Sequence, residues 1–155
     1  MPTWADRLVA AGHEVPAVVP PVAAYVPAKR AGDLVFVAGQ LPFVAGKLMA
    51  TGKVPSEVSI ELAASCAARA ALNGLGAVAS VVEPDRIEGI VNMTGFVAAP
   101  DSFLDHPVIL NAASEIFALA FGDAGAHART AVGVTALPLD SPVELQIVAS
   151  VRGDR

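Results

Sequence analysis

The sequence contains one cysteine and three histidines, which is too few for most disulfide or metal frameworks. Cys66 has no second cysteine to pair with, so neither an intramolecular disulfide nor a cysteine-based zinc cluster can form. His13, His106 and His127 are far apart in the sequence and lack the spacing of metal ligands. We therefore expect no metal site.

Charged residues are also scarce, and no run of lysine and arginine occurs. They make up 16% of the chain, and the formal net charge is −5. Typical soluble domains have about 25% charged residues. Because nucleic-acid-binding proteins usually carry a basic stripe, this composition argues against a nucleic-acid partner. A small anion is still an acceptable ligand, since one well-placed arginine can bind it.

The sequence has neither a signal peptide nor a long unbroken apolar run. Residues 1–11 include Trp4, Asp6 and Arg7, which do not fit the apolar core of a signal peptide. No apolar run reaches the length of about 18 residues that a membrane span needs. We expect a soluble, cytoplasmic protein with no membrane partner.

Apolar residues, in contrast, are abundant. They form 54% of the 155 residues, and this length fits one domain. Such an excess over the needs of one small core is often buried against another subunit. Residues 1–24 are predicted to form an N-terminal extension, with a short helix that ends at Gly12 and a proline-rich strap from Val15 to Pro27. Residues 25–155 are predicted to form the domain.

Hydrophobic periodicity predicts an α+β fold. Ser56 is the expected N-cap of the first long helix, and Gly122 is the expected C-cap of the second. Cys66 is expected to be a small buried or half-buried hydrophobic residue within the first of these helices. The predicted elements are, in order, strands at 33–39 and 46–51, a helix at about 55–82, a strand at 86–98, a helix at 107–122, and strands at 129–137 and 143–151.

The two long helices can cover only one face of the predicted sheet. The strand at 33–39 is expected to be buried on both faces, and Val91 is expected to face the core. The face without helices is nevertheless apolar, and this pattern favours a partner subunit. The residues expected on that face are Phe96, Val132, Val134 and Val148.

Glu144 lies on the last strand, where alternation places it away from the core. Leu145 and Ile147 face the core, whereas Glu144 and Gln146 lie on the other face. A glutamate in this position is most commonly a solvated surface carboxylate. Alternatively, it is a general acid/base or a water-positioning group, and partial burial would help to tune such a group.

Arg129 begins the preceding strand and has two interpretations as well. It is either a surface arginine paired with an acid or a planar fork that holds a substrate carboxylate by two hydrogen bonds. If the last two strands form a hairpin, with Leu137 near Val143, Arg129 lies about 23 Å from Glu144 along that hairpin. Two chains are then needed to bring both side chains to one ligand, and the shared site would lie between subunits.

Three further residues have a functional and a purely structural interpretation. Gly39 lets a backbone approach closely, although it fits an ordinary turn equally well. Tyr25 is the only tyrosine and also fits a packing anchor for the strap. Asn111 is also consistent with a surface amide in the first turns of its helix. The sequence contains no phosphate-binding loop, dinucleotide fingerprint, HExxH or GxSxG motif.

Taken together, the chain resembles the RidA/YjgF family of reactive-intermediate deaminases, which are also described as L-PSP endoribonuclease-like. The most specific part of the resemblance lies in residues 128–138 and 143–146, because Arg129, the Leu-Pro pair at 137–138 and Glu144 keep the separations found in the family. The N-terminal extension resembles a less-studied branch of the family. The resemblance is carried by Asn111 and by residues 24–26 (AYV), 35–42 (VFVAGQLP), 91–97 (VNMTGFV), 128–138 (ARTAVGVTALP) and 143–146 (VELQ).

The resemblance implies a chorismate-mutase-like fold and a homotrimer around a central barrel, with clefts at the subunit interfaces. It implies hydrolysis of 2-aminoacrylate or 2-iminopropanoate intermediates to a 2-oxo acid and ammonia, without a cofactor. Arg129 matches the carboxylate-binding arginine, and Glu144 matches the glutamate that positions the attacking water. Gly39 matches a backbone contact near the substrate, while Tyr25 and Asn111 match cleft-lining positions.

Two substitutions in the family motifs bear on the substrate. Ala38 stands where characterised members have serine, and Ala131 stands in place of a cysteine in the substrate-binding set. Both changes remove polar contacts to a small ligand. A non-catalytic trimer that binds a small carboxylate is therefore the alternative to a deaminase. The family description also suggests a ribonuclease, against which the acidic composition argues.

Overall fold

The computed structural model describes residues 1–21 and 23–153. Val22, within the predicted strap, and residues 154–155, at the end of the predicted domain, lie outside the described residues. The helices are α1 (Trp4–Ala10), α2 (Ile60–Ala79) and α3 (His106–Phe121). The strands are β1 (Ala28–Ala31), β2 (Leu34–Val37), β3 (Phe43–Val44), β4 (Lys47–Leu48), β5 (Ile87–Ala98), β6 (Ala128–Val134) and β7 (Val143–Val151).

The main sheet has five strands in the order β1-β2-β7-β5-β6. Strands β5 and β6 are parallel, and the other neighbouring pairs are antiparallel. Strands β3 and β4 form a separate small hairpin. The mixed sheet with helices confirms the predicted α+β class, whereas β1 was not predicted.

The long helices α2 and α3 pack against each other and against one face of the sheet. Helix α2 contributes a row of alanines with no exposed surface, at positions 63, 67, 70 and 71. These small side chains let the helix lie close to the sheet, where Leu145 and Ile147 are also buried. Burying each such aliphatic side chain contributes about 1.5–3 kcal/mol. Cys66 is fully buried in this layer, as expected, and burial raises the pKa of its thiol to about 11.

Helix α3 lies within one residue of the prediction at both ends, whereas α2 is shorter than predicted, Ile60–Ala79 instead of about 55–82. The predicted N-cap Ser56 lies in a turn before the helix. Ser59 is the N-cap, and its Oγ accepts a hydrogen bond of 3.1 Å from the backbone N–H of Leu62. Thr3 and Asp6 form a reciprocal capping box at the start of α1. Gly122 ends α3 with a φ of 60°, a conformation that glycine adopts without steric cost.

The predicted pairing of the last two strands is wrong. Strand β5 lies between β6 and β7, and the connection through residues 138–142 therefore crosses over β5 rather than forming a hairpin. A short 3₁₀ helix, Pro138–Asp140, replaces the hairpin turn. The sequence located both strands, but local periodicity carries no information about which strands are neighbours.

The prediction that Val91 faces the core is also wrong. Val91 is 44% exposed, whereas Ile90 is 3% exposed. The pairing of β5 with β7 shifts register between Ile90 and Asn92, as in a β-bulge. A bulge adds one residue to the strand and reverses the alternation that a regular strand would follow.

The sheet face opposite the helices, here called the open face, is partly apolar. The prediction that strand β2 is buried on both faces is wrong, because Phe36 is 46% exposed while Val35 and Val37 are buried. Phe36 is paired with Val148 of β7. Phe96 and Val132 are also paired and only partly buried, so an apolar face without helices is confirmed.

Two helical segments, at residues 60–79 and 106–125, have the length and hydropathy of a membrane span. Neither segment was predicted from the sequence, because polar residues interrupt both. About two thirds of the first segment (67%) is buried inside the domain, as is typical of a core helix in a soluble protein.

Candidate functional site

Glu144 lies on the open face at the start of β7, beside Gly39. The backbones of Gln40 and Leu145 exchange two hydrogen bonds, of 2.7 and 3.0 Å, and this bridge holds residues 38–41 along β7. A Cβ at position 39 would overlap Oε1 of Glu144. Only glycine leaves this space to the carboxylate. The group that comes close to Gly39 is thus the Glu144 side chain, whereas the sequence predicted the close approach of a backbone.

Burial raises the pKa of the Glu144 carboxyl above its ordinary value. Desolvation disfavours the charged form of a carboxyl group, because water that would stabilise the charge is excluded. The phenyl side chain of Phe96 is at the paired position on the open face. Glu144 is thus a half-buried carboxyl group rather than the fully solvated one that is most common on strands.

Two side chains of α2 fix the segment that follows Gly39. The amide Nδ2 of Asn73 donates hydrogen bonds to the carbonyl oxygens of Leu41 and Phe43, at 2.9 and 3.1 Å. Arg69, one helical turn earlier, donates from Nε to the carbonyl of Phe43 at 2.8 Å. Neither residue was predicted from the sequence. Their signal was a pair of polar residues four positions apart on an otherwise alanine-rich helix.

A pocket opens next to this segment, under the proline-rich strap. Tyr25, Gly39 and Gln40 line it, together with Val19, Pro20 and Pro21 of the strap. Tyr25, Gly39 and Glu144 therefore belong to one region of the chain, which we call the Glu144 half-site. The strap forms part of the wall of this region.

Arg129 lies on the edge strand β6, and α3 holds its guanidinium group. Nη1 donates hydrogen bonds to Oδ1 of Asn111, at 2.9 Å, and to Oγ of Ser114, at 3.2 Å. Asn111 and Ser114 are three residues apart on α3 and hence on the same side of the helix. Ala131 follows Arg129 by two residues on β6 and has the same strand orientation. These four residues form the Arg129 half-site.

The two half-sites lie on opposite faces of the sheet. Arg129 is paired with Met93, which is buried beneath the helices, whereas Glu144 is paired with Phe96 on the open face. Their backbones are three residues apart along the strand direction and two strand spacings apart across the sheet. Together these offsets separate the two backbones by about 14 Å. This replaces the distance of about 23 Å that followed from the wrong hairpin. One chain still does not bring Arg129 and Glu144 together.

His127 extends the Arg129 half-site in a way that the sequence analysis did not predict. Its Nε2 lies 3.0 Å from Oγ of Ser114, and its Nδ1 lies 2.6 Å from the carbonyl oxygen of Gly125. The ring of Phe117 packs against the imidazole edge-to-face, with centroids 5.4 Å apart. Ser114, Gly125, His127 and Arg129 line one open groove. The only sequence signal was a histidine two residues before the arginine.

Nearly the whole chain matches a known family. Residues 5–151 match the family model described as "YjgF/chorismate mutase-like, putative endoribonuclease". The chain therefore belongs to the RidA/YjgF family, and it has the chorismate-mutase-like fold of that family, as the sequence motifs implied.

Individual relatives extend over nearly the full length of the chain. Protein TCP17 of Trypanosoma cruzi is 30% identical over 149 residues, which cover 95% of this chain and 93% of that protein. The crystal structure of Atu1372 of Agrobacterium tumefaciens, a protein of unknown function, has a TM-score of 0.89 and 32% identity, and the match covers 96% and 92% of the two chains. The structure of a "putative endoribonuclease" from Shewanella oneidensis has a TM-score of 0.91 and 29% identity, with coverage of 96% and 99%.

Proposed function

We propose that the protein is a hydrolytic deaminase of small reactive imines and enamines of the 2-aminoacrylate or 2-iminopropanoate type. The products would be a 2-oxo acid and ammonia, and the sites would lie between the subunits of a homotrimer. One observation carries the proposal. The chain presents an oriented guanidinium group and a half-buried carboxyl group in two half-sites, and each half-site lacks the group that the other holds.

Arg129 suits a substrate carboxylate because only one end of its guanidinium is occupied. Nη1 has two hydrogens, and its two acceptors are Asn111 and Ser114. Within residues 1–21 and 23–153, Nε and Nη2 of Arg129 have no hydrogen-bond acceptor. These two nitrogens form the side edge of the guanidinium, which binds a carboxylate by two parallel hydrogen bonds.

Glu144 suits the role of proton acceptor and donor. In the first step the ionised carboxylate takes a proton from a water molecule, whose oxygen bonds to the carbon of an imine that has taken up a proton on nitrogen from the solvent, and the C=N π electrons move to that nitrogen. In the second step Glu144 returns its proton to the nitrogen of the tetrahedral intermediate. The C–N bond then breaks, ammonia leaves, and the hydroxyl proton is released as the carbonyl forms. A carboxyl pKa raised towards the working pH makes both transfers easier.

A cyclic trimer would unite the half-sites. In a ring, each interface joins two different surfaces of neighbouring subunits, so the Arg129 half-site of one subunit can meet the Glu144 half-site of the next. The apolar part of the open face, with Phe36 and Phe96, gives such an assembly a surface to bury. Positioning and charge stabilisation then supply most of what the hydrolysis of an imine needs.

Subunit complementation tests the shared site. The variants Arg129→Ala and Glu144→Gln should each be inactive when a serine or threonine dehydratase supplies the intermediate and oxo-acid release is followed. After unfolding and refolding together in equal amounts, mixed trimers should each contain one intact site. About a quarter of wild-type activity should return, by random assembly into rings of three. No recovery, with mixed trimers verified by a mass tag on one variant, would contradict a site shared between neighbours.

A non-catalytic protein that binds a small carboxylate is the second candidate, and Ala38 and Ala131 favour it. Both positions lack the polar side chain found in characterised relatives, so a ligand would have fewer hydrogen-bond partners. This candidate predicts that pyruvate raises the melting temperature of the wild-type protein although oxo-acid release stays at the background rate. Arg129→Ala should remove the stabilisation in either case.

A further inference from the structure

Three side chains and one carbonyl group form a continuous hydrogen-bonded chain behind the Arg129 half-site. The order of contacts is Arg129 to Ser114, Ser114 to His127, and His127 to the carbonyl of Gly125, at 3.2, 3.0 and 2.6 Å. His127 contacts neither the Glu144 half-site nor the strap pocket among the residues that the structure describes. The role proposed above for Arg129 does not by itself account for this series of hydrogen bonds.

The direction of each hydrogen bond follows from the groups at its ends. The carbonyl of Gly125 can only accept, so Nδ1 of His127 must carry the hydrogen. In the neutral ring, Nε2 is then an acceptor, and the hydroxyl of Ser114 donates to it. The Ser114 oxygen keeps its lone pairs for the N–H of Arg129, which can only donate. With a neutral imidazole, all three groups are therefore satisfied in this arrangement.

This series of hydrogen bonds also restricts the rotation of the guanidinium group of Arg129. Asn111 alone would hold one hydrogen of Nη1, and the group could still rotate about the Nε–Cζ bond after that single contact breaks. With Ser114 as the second acceptor, both hydrogens of Nη1 are bound. His127 accepts the hydroxyl hydrogen of Ser114, and this contact orients the lone pairs of the Ser114 oxygen towards Arg129. Phe117 fixes the imidazole ring from the side.

We propose that His127 and Ser114 are positioning residues that lock the guanidinium of Arg129, so that its Nε and Nη2 edge is presented to a carboxylate. The effect on catalysis rests on the proposed function, whereas the lock itself is a property of the protein without ligand. Neither residue needs to touch the substrate. Both act through Arg129.

The lock can be measured directly by the rotation of the guanidinium group. In protein labelled with ¹⁵N-arginine, slow rotation about Nε–Cζ gives separate NMR signals for the two Nη groups, and Arg129→Lys assigns them. The signals should be separate in the wild type and should coalesce at lower temperature in Ser114→Ala and His127→Phe. His127→Gln retains an acceptor near the position of Nε2 and should restore slow rotation, as should Ser114→Thr. Ser65→Ala removes an exposed serine from the second turn of α2 and should have no effect.

Kinetics give the functional counterpart. Loss of one such contact is worth about a factor of ten, so Ser114→Ala and His127→Phe should raise KM about tenfold and change kcat less. Melting temperatures should stay close to the wild type, since both side chains lie at the edge of the core. Unchanged Nη rotation in both variants would overturn the proposal. Altered rotation with wild-type kinetics would overturn the proposed effect of His127 and Ser114 on substrate binding. Altered rotation with no deaminase activity in any protein, the wild type included, would refute the proposed function and leave the restricted rotation established.

Discussion

The carboxylate of Glu144 occupies the space that a side chain on Gly39 would fill, since a Cβ there would overlap Oε1. The backbone of Gly39 does not itself require glycine, because its φ lies outside the left-handed region. The need for glycine comes from Glu144 alone, and substitution at position 39 therefore tests the position of the carboxylate.

Gly39→Ala should displace Glu144 and reduce activity without unfolding the protein. The methyl group overpacks the site, and such insertions cost about 1–3 kcal/mol. Gly39→Ala combined with Glu144→Asp should recover stability, because the shorter side chain vacates the overlap, but it should not recover activity. Thermal unfolding and initial rates check the two parts. Equal destabilisation in the single and double variants would show that the overlap is not the cause.

The raised pKa of Glu144 predicts how stability depends on pH. In the unfolded chain the carboxyl keeps its ordinary value of 4.5, whereas burial raises the pKa in the folded protein. The folded protein then holds the proton more tightly, so stability falls as pH rises from the ordinary value through the raised one. Glu144→Gln cannot ionise and avoids this loss.

Melting temperatures of Glu144→Gln and wild type at pH 4 and pH 7 measure this effect. The melting temperature of Glu144→Gln, relative to that of the wild type, should be higher at pH 7 than at pH 4. A constant difference across that range would mean that the carboxyl is not desolvated. Deaminase activity should fall as the pH drops through the raised pKa, because Glu144 then becomes protonated and the first step needs the carboxylate.

Phe36→Lys should weaken the proposed trimer. Phe36 is 46% exposed on the open face, and a lysine there would have to lose hydration in a trimer interface. Light scattering after size-exclusion chromatography should show smaller particles for the variant than for the wild type. Val9→Lys is a matched control, because Val9 is 64% exposed on α1 and away from the sheet. A trimer of unchanged stability in Phe36→Lys would place the interface elsewhere.

Ser59→Ala should destabilise the protein, whereas Ser56→Ala should not. Ser59 is the N-cap of α2, and loss of a serine cap costs about 1 kcal/mol. For a domain of this size that corresponds to a fall of about 2–4 °C in melting temperature. Ser56 lies on an exposed turn before the helix. Equal effects of the two substitutions would show that the cap is shared or frayed.

Local patterns predicted much of the fold because burial is periodic within an element. Alternation located β5 and β7 and placed Glu144 on the face away from the core. The long helices were found from apolar spacing, although Ser59 rather than Ser56 caps α2. The bulge after Ile90 escaped prediction, because one extra residue changes the alternation without a distinctive residue type.

Pairing between strands was beyond the reach of these patterns. The sequence placed β6 and β7 next to each other, and the structure inserts β5 between them. Neighbouring strands are chosen by contacts between residues far apart in the chain, and those contacts leave no local periodicity. The face on which Arg129 lies, and hence its distance from Glu144, followed only from that pairing.

The sequence by itself determined the family, the two chemical groups and the apolar face that lacks helices. The motifs at residues 128–138 and 143–146 identify Arg129 and Glu144, and the composition shows the excess of apolar residues. Only the tertiary structure decided that these groups lie on opposite faces, and that Ser114 and His127 stand behind the arginine. The first fact depends on the insertion of β5 between β6 and β7, and the second depends on the packing of α3 beside β6. Both are relationships in space and not along the chain.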